Sequence, residues 1–128
     1  MRNRKNPLKA TESDEQIALF ELAKTMISRF PELRLLHAIP NGGLRNKITA
    51  SRMRREGVKP GVPDIFLPVA RGKYHGMYIE LKTISGRLSN LQIAWIGALT
   101  DQGYDATVCY GADQAIDQII KYLCIEGK

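Results

Sequence analysis

Pro63-Asp64-Ile65-Phe66-Leu67 and Met77-Tyr78-Ile79-Glu80-Leu81-Lys82 decide how this chain is read. Both are short apolar runs of strand type, and both carry charge where a buried strand excludes it. Strand side chains alternate, so Met77, Ile79 and Leu81 share one face of the second run, while Tyr78, Glu80 and Lys82 share the other. Gly72 and Gly76 bracket the connection between the runs. A hairpin there would bring Asp64 beside the Glu80–Lys82 face, where two carboxylates and an ammonium would converge at one edge of a sheet.

Outward from this pair, the chain reads as α/β. Ser13-Asp14-Glu15-Gln16 has the form of a capping box. It predicts a helix over about 14–29, with Ile17, Phe20, Ala23 and Ile27 on its apolar stripe, Leu19, Leu22 and Met26 widening it, and Pro31 as its stop. Leu33–Ile39 reads as a strand, and Pro40-Asn41-Gly42-Gly43 as a turn. Between 45 and 59 stand Arg45, Lys47, Arg52, Arg54, Arg55 and Lys59 against the single acid Glu56, with Gly57 placed to end a helix. So local and one-signed an excess suits phosphate contact. A second box, Ser89-Asn90-Leu91-Gln92, opens a helix to about Gln102 with Gly103 at its end. Tyr104–Tyr110 alternates as a strand, and Ala112–Ile125 closes the chain as a helix with Ile116, Ile119, Ile120 and Leu123 inward. The expected architecture is a small mixed sheet flanked by helices.

The helix that begins at Ser89 is apolar on more than one side, through Leu91, Ile93, Ala94, Trp95, Ile96, Ala98 and Leu99. Two placements satisfy it: the centre of the monomer, or the interface with a second copy of the chain.

At 128 residues the chain holds one core, with 44% hydrophobic and 25% charged residues. Residues 1–12, with Arg2, Arg4, Lys5 and Lys9, read as a flexible basic arm before a domain over 13–128. No apolar run approaches a membrane span and no signal-peptide pattern is present, so the expectation is a cytoplasmic protein without a membrane partner. Cys109 and Cys124 do not make a disulfide framework, and two cysteines with two scattered histidines give no zinc spacing. The net charge of +6 directs the chain toward polyanions. No Ser-His-Asp or Cys-His arrangement, Walker A loop or dinucleotide fingerprint occurs.

Taken singly, Glu80 and Lys82 could be a surface ion pair and Asp64 a turn residue after a proline. An acid two residues before a lysine arises roughly once by chance in a chain of this length. Taken together they interrupt two strands that their neighbours mark as core. A divalent cation resolves that conflict, because crowded carboxylates repel and want positive charge between them. All-oxygen donors select a hard ion, Mg²⁺ or Mn²⁺. Such an ion activates water and stabilises charge on a phosphodiester, and Lys82 on the same face could orient the attacking water.

These residues resemble the PD-(D/E)xK nuclease signature, and the longer pattern resembles its VRR-NUC branch. The stretches that match are Pro40–Gly43, Gly57–Asp64, Gly76–Lys82, Gly86–Gln92 and Gly103-Tyr104. The resemblance implies a restriction-endonuclease-like core and a metal-dependent endodeoxyribonuclease. By carry-over, Asp64 and Glu80 are metal ligands, with the backbone carbonyl of Leu81; Lys82 is the catalytic lysine; Gln92 is the glutamine near the site. The family also uses a glutamate on the first helix, for which Glu15 is the best match and Glu12 and Glu21 are the other candidates. Stand-alone members resemble Holliday junction resolvases, which act as homodimers on four-way DNA junctions. A restriction- or flap-type endonuclease, a non-catalytic DNA-binding module and an RNA-processing protein remain as alternatives.

Overall fold

The computed structural model describes residues 10–40 and 47–127, with 47 and 48 described by their backbone alone. Residues 1–9 of the expected basic arm, Asn41–Gly43 of the expected turn, Arg45 and the side chain of Lys47 lie outside the described residues, while Thr11 and Glu12 at the end of the arm belong to the start of α1. The elements run α1 (Glu12–Met26), a 3-10 turn (Pro31–Leu35), β1 (His37–Ala38), α2 (Lys47–Arg55), β2 (Ile65–Leu67), β3 (Met77–Lys82), α3 (Asn90–Asp101), β4 (Asp105–Tyr110) and α4 (Ala112–Leu123). The four strands form one mixed sheet in the order β1-β2-β3-β4, antiparallel except for the parallel pair β3–β4. The β3–α3–β4 connection is the crossover that a parallel pair requires.

The expected hairpin is present. Ile65 pairs with Ile79 and Phe66 with Tyr78, so the same register sets Asp64 opposite Glu80. Ile65, Leu67, Met77, Ile79 and Leu81 point to one face and are buried with Leu19, Ala23, Ile119 and Tyr122 of α1 and α4. That layer is the core. The other face carries Asp64, Phe66, Tyr78, Glu80 and Lys82, with α3 across it.

Three local expectations are corrected. α1 begins earlier than Ser13: Thr11 caps it, and the reciprocal bonds run between Thr11 and Asp14. Two cap-forming sequences overlap here, and the upstream one places Glu12 in the first turn. Of the expected α1 stripe, Leu19 and Ala23 are buried with Ala18, and Phe20, Leu22, Met26 and Ile27 pack against the core, but Ile17 is exposed. Leu33–Ile39 is not a continuous strand. Pro31 starts a 3-10 turn that buries Leu33, and only His37 and Ala38 pair with β2.

Two glycines end helices as expected. Gly57 has φ 100° and Gly103 φ 94°. After each, the chain closes on the last helical turn: Val58 N–H donates to Met53 O and Tyr104 N–H to Leu99 O.

Candidate metal centre

Asp64 is positioned by both strands of the hairpin. β2 begins at Ile65, just after Pro63, which has no N–H to extend the ladder further back. Beyond that point the Leu81 N–H donates to Asp64 Oδ2 at 2.9 Å. Glu80 follows from strand alternation, which aims it at the α3 side. Its neighbours exclude water so completely that the residue is 0% exposed.

Three carboxylates meet here. Oxygens of Glu12, Asp64 and Glu80 lie within 4.8 Å of one another. Lys82 Nζ stands 3.4 Å from Glu12 Oε2 and 3.8 Å from Glu80 Oε2. Gln92 Nε2 donates to Glu80 Oε2 at 3.0 Å, while the Gln92 main chain and side-chain oxygen complete the capping box of α3 with Ser89. The capping and site roles of Gln92 therefore coexist. Beneath the cluster, Phe66 stacks on Tyr78 with centroids 4.3 Å apart, and Tyr104 meets Tyr78 edge-on.

The structure does not bring Glu15 into this cluster; Glu12, the alternative glutamate, stands there. Glu15 Oε1 accepts from the Ala112 N–H at 3.0 Å. The cause lies in α4, whose cap residue Gly111 has no side chain to meet the first N–H groups of the helix. Glu15 supplies that acceptor from α1, and its negative charge suits the helix N-terminus. Leu81 touches the cluster through its N–H.

Charge balance at Glu80 is incomplete. Its Oε1 is buried and receives no hydrogen bond. Desolvation, then repulsion from Asp64, pushes the carboxyl up to about 8, against an opposing pull from Lys82. A buried oxygen without a donor, crowded by two further carboxylates, needs a proton or a cation. The donor set, all oxygen and strongly anionic, fits a hard divalent ion.

Of the basic residues, Arg52, Arg54, Arg55 and Lys59 are exposed, and Arg52 pairs with Glu56 at 3.6 Å. α3 is not central in the monomer. None of its residues is buried, and Leu91 and Ile93 are 53% and 54% exposed. Among the described residues, no helix is long and apolar enough to cross a membrane.

The family model for the VRR-NUC domain matches residues 13–113. Among solved structures, a VRR_NUC domain protein is similar at 30% identity and a TM-score of 0.79, with 91% of each chain covered. No curated protein matches the chain. With a mixed four-stranded sheet that carries an acidic cluster and a lysine on one face, the chain belongs to the VRR-NUC domain family of the PD-(D/E)xK nuclease superfamily.

Proposed function

We propose that the protein is a Mg²⁺- or Mn²⁺-dependent endonuclease that cuts branched DNA, the four-way junction above all, as a homodimer. The observation that carries the reading is the bare Glu80 Oε1, buried within reach of Glu12 and Asp64 oxygens. Glu12, Asp64 and Glu80, with the Leu81 carbonyl, would hold the ion. When bound, the ion supplies Lewis-acid stabilisation of a phosphodiester and activates water.

The chain's own groups do the rest. Leu81 N–H fixes the Asp64 carboxylate, and Gln92 fixes one oxygen of Glu80. The Lys82 ammonium, held between Glu12 and Glu80, orients the attacking water and offsets charge developing on the phosphoryl oxygens. Arg52, Arg54, Arg55 and Lys59, with Arg45 and Lys47 from the same stretch, bind backbone phosphates. The exposed apolar side chains of α3 support the dimer, whose two sites would serve the two strands of a junction.

The test presents a four-way junction, a flap, linear duplex and the matching RNAs, each with Mg²⁺, Mn²⁺ or EDTA. Junction cleavage that needs the divalent ion and is abolished in Asp64→Ala is the expected result. Salt-sensitive binding without cleavage under any ion would make the protein a binding module instead. Preference for linear duplex, flap or RNA would assign it a different substrate within the superfamily.

A further inference from the structure

The amide of Gln92 has two ends of opposite polarity, and each is committed. Its Oε1 accepts from the Ser89 N–H at 2.8 Å, and its Nε2 donates to Glu80 Oε2 at 3.0 Å. A main-chain N–H can only donate, so it selects the amide oxygen and leaves the NH₂ for the carboxylate. The Ser89 Oγ accepts from the Gln92 N–H at 3.1 Å and closes the box from the other side. Glu80 thus has one oxygen tied to the cap of α3 and the other, Oε1, left bare beside the cluster. The same first turn braces the segment that leads into Asp64. Gly61, at φ 93°, lies so close to Leu91 that a Cβ there would sit 2.8 Å from Leu91 Cβ and 2.9 Å from its carbonyl carbon.

We propose that Ser89 is a positioning residue of the metal centre: through the capping box it sets the direction of the Gln92 amide, and through that amide it aims Glu80 at the ion. The inference rests on the metal-site reading above. It assigns to an exposed serine, outside the carboxylate cluster, control of how strongly the cluster binds a divalent cation. Outer groups that orient a ligand typically change metal affinity by about 10- to 100-fold when lost.

The experiment is calorimetric titration of Mn²⁺ into the full chain, with thermal unfolding of the metal-free protein alongside. Ser89→Ala removes the Oγ acceptor and weakens Mn²⁺ binding about tenfold. Ser89→Pro also deletes the N–H that orients the amide, at a φ of −79° that suits proline, and weakens binding further. Ser89→Asp and Ser89→Thr, which cap helices as serine does, restore the parent affinity. Ala98→Gly, on the exposed side of α3, lowers the unfolding temperature comparably but leaves Mn²⁺ affinity unchanged. Ser89→Ala with parental affinity overturns the inference, as does Ala98→Gly with an equal loss of affinity. If the parent takes up no Mn²⁺, the metal-site reading and this inference fall together. If the parent binds and only the Ser89 series is flat, this inference falls alone.

Discussion

α3 and α4 are both twelve residues long, both follow a strand of the same parallel pair, and they are used in opposite ways. α4 buries six residues, Ala112, Ala115, Ile116, Ile119, Tyr122 and Leu123, against the core face of the sheet. α3 buries none, although its side chains are the more apolar as a group. The difference lies in what each helix is fastened by. α4 is held by packing along its whole length. α3 lies on β4 with Trp95, Ile96 and Leu99 only half-buried, and is tied at its first turn, where Leu91 lies on Gly61 and Gln92 reaches Glu80. One helix therefore carries stability and the other carries geometry. A fold can divide these tasks because strand alternation sends Ile79 and Leu81 to one helix and Glu80 and Lys82 to the other.

The comparison is sharpest if damage on the two sides separates cleanly. The largest effect belongs to the α3 face: Lys82→Ala lowers the proposed DNA cleavage by about 10²-fold or more while the protein stays folded, as gel assays and circular dichroism will show. On the α4 face the cost falls on stability. Ile119, fully buried, loses about 3 kcal/mol on change to alanine, read by urea unfolding, with the cleavage rate of the folded fraction unchanged. Loss of cleavage by the folded Ile119→Ala protein would break the division.

A pH series reports on the same divide. Glu80 is raised from 4.5 to about 8 in the folded, metal-free chain. Between those values the folded state holds a proton that the unfolded chain has released. Stability is therefore full below about 4.5 and falls as pH rises toward 8. At about 1.36 kcal/mol per pKa unit, the fall from pH 5 to 8 is roughly 3 kcal/mol. Glu80→Gln flattens the slope, and saturating Mn²⁺ removes it. A metal-free protein equally stable at both pH values would contradict the cost of charging the buried Glu80 carboxyl. The smallest effect is expected on the outer side of α3. Ile93→Ser changes monomer stability by less than about 0.5 kcal/mol yet moves the light-scattering mass of the proposed dimer toward that of the monomer.

What could be read from the residues follows the range of the forces involved. The alternation of Met77–Lys82 and the proline ahead of Asp64 are local, and they place the hairpin and its polar face correctly. The Ser89–Gln92 box is equally local and forms as expected. α1 shows where local rules stop. Thr11-x-x-Asp14 and Ser13-x-x-Gln16 both satisfy a cap pattern, and the two frames differ by half a turn of helix. The choice between Glu12 and Glu15 turns on a glycine ninety-six residues beyond Glu15, because Gly111 leaves α4 without a side-chain cap. No window along the chain contains both. Leu33–Ile39 misleads for a related reason: its apolar residues suit a strand, but Pro31 favours a 3-10 start and only two residues find a partner.

Glu12 and α4 also bear on how such a unit can be carried from one protein to another. The family model matches 13–113, whereas the carboxylate of Glu12 precedes that span and nearly all of α4 follows it. A fragment trimmed to that span would keep Lys82 but lose one wall of the acidic cradle beside it and the lid of the domain's interior. Transplanting this nuclease into a larger chain therefore means moving residues 11–123 as a block, with both flanks intact.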